Sequence, residues 1–292
     1  MISITDNTAQ HKVPNSSGTA APRLKAPADA ADCHIHIYDP RFQPPVANPL
    51  HGTVADYRLL QKRIGVSRVV IVQPRNYATD NSVTIDAIAQ LGIAKARGVG
   101  VLHPDVTEAD LKRLDVGGIR GVRFTLGHAK NAVTSFDMIE PLAKRIAPYG
   151  WHVQLNMDPQ QVIDGAAMLK RLPTQIVFDH MGKPPMPDGA YHESHKIIRS
   201  LLDMQKAWVK ISGAYIVDAD GAPAYAGATG VAREFVRAAP ERAVWGSDWP
   251  HPGPKAHPDD AVLFDILSEW APDEMVRNRI LVDNPKKLYG FE

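Results

Sequence analysis

Histidine and aspartate side chains stand at three places in the sequence where a short apolar run ends. His34 and His36 form an HxH tripeptide within DCHIHIY, His180 follows VFD, and Asp248 follows WGS. Imidazole and carboxylate groups are the side chains most used to move protons near neutral pH, and they also bind divalent metals. These four residues therefore indicate a site for proton transfer or metal binding.

The elements that must carry these residues alternate along the chain. Eight short runs rich in β-branched residues are separated by helical stretches, the shortest of them near 108–114. We predict strands at 33–38, 68–73, 98–103, 119–124, 152–157, 175–179, 208–212 and 244–247. Parallel strands need crossover connections, so eight such units predict a parallel sheet, either closed or open. Because no GxGxxG follows the first strand, we predict an α/β fold of the (β/α)8 TIM barrel type.

Length and composition fit one such barrel. The chain has 292 residues, and a (β/α)8 barrel takes roughly 250. We expect a flexible N-terminal arm at 1–30, which is polar and without periodicity, and one catalytic barrel domain at 31–292. The net charge of +1 argues against nucleic acid or a membrane surface as partner, and the oligomeric state stays open.

The single cysteine and the lack of long apolar runs indicate the cellular compartment. A single cysteine, Cys33, excludes an intrachain disulfide and is typical of a reducing compartment. No apolar run approaches the ~20 residues of a membrane span, and the N-terminus lacks a signal-peptide core. We therefore expect a cytoplasmic protein.

In a barrel of this type the active site lies at the carboxyl ends of the strands. His34 and His36 are two residues apart and share one face of their strand, whereas Cys33 and Ile35 suit the side that faces the helices. We predict that one cavity holds the catalytic residues His34, His36, His180 and Asp248.

Other polar residues near the strand ends could bind a substrate. Candidates for binding a substrate carboxylate are Arg75, Arg123 and Lys183. The arginines suit this role because a guanidinium meets a carboxylate with two parallel hydrogen bonds. Candidates for binding hydroxyl groups are Gln73, Asn156, Ser212 and Tyr215. We interpret Tyr38 and Trp249 as walls or lids, and His192 and His195 as the exposed start of a helix. The sequence does not decide whether His251 or His257 touches substrate.

Four segments resemble the amidohydrolase superfamily: ADCHIHIYDPRF, RGVRFT, VFDHMGKP and WGSDWPHP. The resemblance runs from Ala31 to the C-terminus and is strongest to the branch that contains 2-pyrone-4,6-dicarboxylate lactonase and D-galactarolactone isomerase. The segments DCHIHIYDPRF and VPNSSGTAAP look most like the isomerase. The resemblance implies a (β/α)8 barrel and a small-molecule lactone as substrate.

The resemblance also bears on cofactors. Many superfamily members hold one or two divalent metals with the HxH pair, a histidine on strand five and the aspartate on strand eight. Here strand five offers Asn156, and an amide is a poor zinc ligand. We expect no metal and no other cofactor, as the lactonase–isomerase branch implies. The alternative is one zinc on His34, His36 and Asp248, with His180 as acid and base.

The inferred chemistry is acyl transfer at a lactone carbonyl. The three histidines would stabilise an oxyanion, and Asp248 would act as general base on water or on a substrate hydroxyl. Residue types do not separate hydrolysis from isomerisation. The resemblance favours isomerisation of galactaro-δ-lactone to the γ-lactone. Alternatives are hydrolysis of a carboxylated lactone, a metal-dependent hydrolase or decarboxylase of this fold, and a binding scaffold without turnover.

Overall fold

The computed structural model describes residues 12–45, 50–127, 133–218, 221, 223–253 and 257–292. Eight parallel strands pair in chain order, β1 to β8. They are Ala31–Ile35, Arg68–Val72, Ala96–Gly100, Ile119–Thr125, His152–Asn156, Ile176–Phe178, Ala207–Ile211 and Ala243–Trp245. The first and last strands are joined where His36 N donates to Trp249 O (2.8 Å) and Asp248 N donates to His34 O (2.8 Å). The predicted (β/α)8 barrel is confirmed.

Helices follow the strands around the outside. The α-helices, α1 to α12, are Val54–Ile64, Ser82–Leu91, Glu108–Val116, Ile139–Ile146, Pro159–Arg171, Glu193–Asp203, Ala214–Val217, Ala226–Ala238, Asp260–Asp265, Leu267–Trp270, Glu274–Asn278 and Asn284–Tyr289. Within the described ranges, no helix is both long enough and apolar enough to cross a membrane.

Local sequence signals set the ends of these helices. Thr53 and Asp56 form a reciprocal capping box at the start of α1, and Gly65 ends that helix with a φ of 82°. Glycine takes this left-handed conformation without the steric penalty that a Cβ would bring. Asp158 and Gln161 form a second capping box before α5, directly after the end of β5.

The middle of β2 is apolar on both faces. Val69 and Ile71 pack in the layer between sheet and helices, whereas Val70 and Val72 pack inside the barrel. The C-terminal Tyr289 and Phe291 join this inner cluster. This inner cluster is buried throughout.

One prediction about β1 is wrong in part. Ile35 packs in the layer toward the helices as expected, but Cys33 packs inside the barrel with Val70 and Val72. The pairing register between β1 and β2 shifts between Asp32 and Ile35. This irregularity breaks the strict alternation of side chains, so Cys33 points inward although it precedes His34.

The N-terminal segment 12–30 lies against the barrel. Val13 is fully buried, and the indole of Trp249 donates to Pro14 O (2.8 Å). Ser17 N donates to Pro258 O (3.0 Å). Composition alone predicted a flexible arm at 1–30, and these contacts tie its second half to the loop after β8. Residues 1–11 lie outside the described residues.

Candidate active site

The four residues with predicted catalytic roles meet at one point. Asp248 Oδ1 lies 3.4 Å from His34 Nε2, 3.6 Å from His36 Nε2 and 3.8 Å from His180 Nε2. All four side chains are buried. The carboxyl ends of β1, β6 and β8 therefore direct three imidazoles at one carboxylate oxygen.

Above this point lies a cavity of about 450 Å³. His36, His180 and Asp248 line its floor. Cationic side chains line its walls, namely Arg75, Arg123 and Lys183. Asn156 and Tyr38 also line it. A cavity with three cations and one carboxylate suits an anionic ligand.

The backbone is strained at two of the four central residues. His180 has a φ of 49° and Asp248 a φ of 66°, both in the left-handed region that non-glycine residues avoid. Such positions cost about 1–3 kcal/mol each and cluster at active sites. Gly246 permits the close approach of β8 to β1, because a Cβ there would lie 2.6 Å from Cβ of His34.

Two hydrogen bonds orient the imidazoles. His36 Nδ1 lies 2.8 Å from Val72 O, and a carbonyl can only accept, so the Nδ1 proton points to β2. In the neutral ring, Nε2 of His36 then presents a lone pair to the cavity. His180 Nδ1 lies 3.0 Å from Ser212 Oγ. Burial lowers the pKa of His180 below its usual 6.5, so this ring is neutral at pH 7.

Asp179 is a site residue to which the sequence analysis assigned no role. It is buried beneath the histidines, and its Oδ2 accepts from Arg123 Nε (2.9 Å) and Gln154 Nε2 (3.2 Å). Its Oδ1 lies 3.3 Å from His34 Nδ1. Burial alone would raise the pKa of Asp179, but His34, Arg123 and Lys210 hold it well below the usual range. Its place beside His180 in VFDHMG was the signal that could have revealed it.

Lys210 is the second missed residue. It is fully buried inside the barrel, with Nζ 3.4 Å from His34 Nδ1 and 3.7 Å from Asp179 Oδ1. Burial lowers the pKa of this ammonium group to about 8. A lysine within the apolar run WVKIS was its signal in the sequence. Lysine is almost never fully buried without a partner.

The predicted binding residues separate into two groups. Arg75, Arg123, Asn156 and Lys183 line the cavity, although Arg123 also holds Asp179. Gln73 is buried outside the cavity lining. Its amide donates to Asp80 O (2.7 Å) and its oxygen accepts from Thr84 (2.5 Å), so it braces a loop instead of binding hydroxyls.

Ser212 and Tyr215 also lie outside the cavity lining, but each contacts a residue at its floor. Ser212 lies against His180, and the Tyr215 hydroxyl donates to Asp248 Oδ2. Trp249 is no lid, because it is fully buried against Tyr57. These three side chains therefore support the residues at the cavity floor and do not line the cavity themselves.

Four further histidines that the sequence analysis discussed lie away from the cavity lining. The ring of His192 caps α6 by accepting from Ser194 N (3.3 Å). His195 is buried, not exposed as expected, because its ring packs on Phe235 at 4.2 Å between centroids. The ring of His257 lies 6.4 Å from that of His251, which contacts Tyr215.

A model of the amidohydrolase family matches residues 31–291. This chain belongs to the amidohydrolase family. The chain is 33% identical over 285 residues to 2-pyrone-4,6-dicarboxylate hydrolase of Comamonas testosteroni, covering 93% of each. It is 31% identical over 284 residues to D-galactarolactone isomerase of Agrobacterium fabrum, covering 94% of each. An apo crystal structure from Agrobacterium tumefaciens superimposes with a TM-score of 0.84 at 30% identity, over 93% of this chain and 99% of that one.

The donor set of this amidohydrolase fits a zinc ion with three protein ligands. His34 Nε2 lies 3.3 Å from His36 Nε2, and Asp248 Oδ1 completes a triangle with edges of 3.4 and 3.6 Å. Ligands at ~2.0–2.1 Å around a tetrahedral ion stand about 3.3 Å apart. Two features of the site disfavour the binding of a metal ion. The inner face of β5 ends in the amide Asn156, and the Lys210 ammonium already places positive charge beside His34.

Proposed function

We propose that this amidohydrolase acts on a lactone that carries a free carboxylate, and that it isomerises galactaro-δ-lactone to the γ-lactone without a metal. The observation that carries the proposal is the buried Oδ1 of Asp248, 3.4–3.8 Å from three imidazoles on the floor of a cationic cavity. The names of two relatives support the substrate class, since a 2-pyrone-4,6-dicarboxylate and a galactarolactone are both lactones that carry carboxylate groups.

In the proposed reaction Asp248 takes the proton of a substrate hydroxyl, which attacks the lactone carbonyl of the same molecule. The tetrahedral intermediate carries an oxyanion, which the Nε2–H of His180 stabilises. The Ser212 hydroxyl supports this tautomer by donating to Nδ1 of His180. His36 cannot donate from Nε2 in its neutral form, because its proton lies on the Val72 side.

The second half of the reaction returns the proton. The original ring oxygen departs, and Asp248 gives it the proton taken from the attacking hydroxyl. Burial lowers the pKa of His180, so its ring is neutral at pH 7, and we therefore assign this return to Asp248 and not to His180. The nucleophile and the carbonyl belong to one bound molecule, so proximity is already provided. Arg75 and Lys183 are the proposed anchors of the free carboxylate.

Turnover in ¹⁸O-labelled water tests the proposal. Mass spectrometry of the early product should show a γ-lactone without label, because the acyl group moves within one molecule. A labelled open-chain diacid as first product would instead establish hydrolysis. Proton NMR of the enzyme with a panel of aldaric acid lactones identifies which lactone is consumed.

A zinc-dependent reaction is the second candidate, favoured by the tetrahedral spacing of His34, His36 and Asp248. A zinc ion bound there would act as a Lewis acid on the carbonyl oxygen. In this version Asp248 would be a ligand, so His180 would take over the role of acid and base, and Asp179 would orient His34 through Nδ1.

A further inference from the structure

A row of four polar side chains leads away from the cavity behind Asp248. The Tyr215 hydroxyl donates to Asp248 Oδ2 and lies 3.1 Å from His251 Nδ1. His251 Nε2 lies 3.2 Å from Asp260 Oδ2. Asp248, His251 and Asp260 are each at most 2% exposed, and Tyr215 is half-buried.

The donors in this row have one consistent direction. A phenol has one proton, and the Asp248 carboxylate can only accept it, so the Tyr215 proton points to Oδ2. Nδ1 of His251 must then donate to the phenol oxygen. Nε2 of His251 faces the Asp260 carboxylate, which also only accepts. The two ring nitrogens of His251 thus link the Tyr215 hydroxyl to the Asp260 carboxyl group.

The backbone ties the same residues together. His251 N donates to Asp248 O (2.8 Å), and both residues have left-handed φ values, 61° and 66°. Such strain persists only where surrounding contacts hold it. Asp260 is itself fixed, because its backbone N–H donates to Ser16 Oγ (3.3 Å) of the N-terminal segment.

We infer that Tyr215, His251 and Asp260 are positioning residues that occupy Oδ2 of Asp248 and leave Oδ1 as the reacting oxygen. The inference rests on the proposed role of Asp248 as base. Oδ1 has no hydrogen-bond partner among the described residues, although three imidazoles surround it. With Oδ2 held by a tyrosine, the carboxylate cannot rotate, and the same atom takes and returns the proton.

A double-mutant cycle tests this row of contacts. Tyr215→Phe should lower kcat about 10- to 100-fold with KM changed less than about threefold, because a hydrogen bond to a charged group is lost while the cavity lining stays intact. Asp260→Asn should lower kcat less. The double variant should be no slower than Tyr215→Phe alone, since Asp260 acts through the tyrosine. Tyr149→Phe is the matched control, because Tyr149 donates to Glu108 far from the cavity, and its kcat should equal that of the wild type.

If Asp260→Asn lowers kcat by the same factor in the wild type and in Tyr215→Phe, Asp260 only supports the fold, and the inference is wrong. A second readout does not depend on turnover. The Tyr215–Asp248 proton should give a downfield, solvent-protected NMR resonance that Tyr215→Phe removes, Asp260→Asn shifts and Tyr149→Phe leaves in place. If no lactone is turned over, the proposed function fails and this resonance alone decides the inference. A resonance unmoved by Asp260→Asn overturns it.

Discussion

Nε of Arg123 lies 2.9 Å from Oδ2 of Asp179, and both side chains are buried. The same guanidinium lines the cavity, so it faces a ligand on one side and a structural carboxylate on the other. Lys210 lies 3.7 Å from the other oxygen of Asp179. One buried carboxylate thus compensates two buried cations directly beneath the histidines.

Asp179→Asn should destabilise the protein by about 3–5 kcal/mol, because it leaves Arg123 and Lys210 buried without their shared counter-charge. Urea denaturation followed by circular dichroism measures the change in the free energy of unfolding. Glu269→Gln is the control, since it breaks an exposed pair with Arg233 and should cost less than about 1 kcal/mol. Equal stability of the two variants would contradict this account of the buried cluster.

Asp248→Asn should lower kcat at least ~10²-fold, because an amide cannot take the proton of the attacking hydroxyl. Steady-state kinetics with the active lactone measure this, and a thermal unfolding curve checks that the variant is folded. The control is Asp164→Asn on the exposed face of α5, which should match the wild type. Turnover of Asp248→Asn at the wild-type rate would exclude Asp248 as the base.

Activity should survive extended treatment with a strong chelator, and elemental analysis should find well under one metal per chain. The physical reason is that the proposed reaction draws its acid–base groups from Asp248 and His180, while Lys210 already places positive charge beside His34. The control is chelated enzyme with zinc restored. Loss of activity that zinc restores would establish the zinc-dependent alternative.

Arg75→Met should raise KM roughly tenfold with little change in kcat, because Arg75 lines the cavity wall and would contact the carboxylate before and during the reaction alike. Arg123→Met should also lower stability, since it removes the partner of Asp179. Initial-rate kinetics separate KM from kcat. Arg58→Met is the control, because Arg58 binds Gln90 O on the outer surface. An unchanged KM in Arg75→Met would remove it from the proposed site.

His152 should make the protein less stable in mild acid. Burial, assisted by the Lys210 ammonium, lowers the pKa of His152 from 6.5 to about 3. The unfolded chain therefore binds this proton first as the pH falls, so stability is complete above about pH 6.5 and is lost toward pH 3. The loss by pH 5 is about 2 kcal/mol.

His152→Leu should reduce, without abolishing, the pH dependence of the free energy of unfolding between pH 7 and 5, because His34, His180 and His195 also have lowered pKa values. Denaturant titrations at several pH values measure it. His51→Asn, at an exposed histidine, should keep the wild-type slope. An unchanged slope in His152→Leu would show that another group controls acid stability.

The sequence by itself determined the barrel and the four residues at its centre. Strand identity depends on short apolar runs, and the carboxyl ends of parallel strands share one edge, so His34, His180 and Asp248 had to converge. These are consequences of local periodicity and chain order. They hold without knowledge of any particular contact, and the family match over residues 31–291 agrees with them.

Only the tertiary structure decided what stands behind those residues. The register shift in β1 turned Cys33 inward, a result that strict alternation could not predict. Lys210 and His34 are 176 positions apart, and which buried charges face each other depends on how β1 and β7 meet inside the barrel. The row from Tyr215 to Asp260 likewise depends on how α7, the loop after β8 and the start of α9 pack, because side-chain hydrogen bonds between distant segments leave no periodic signal in a sequence.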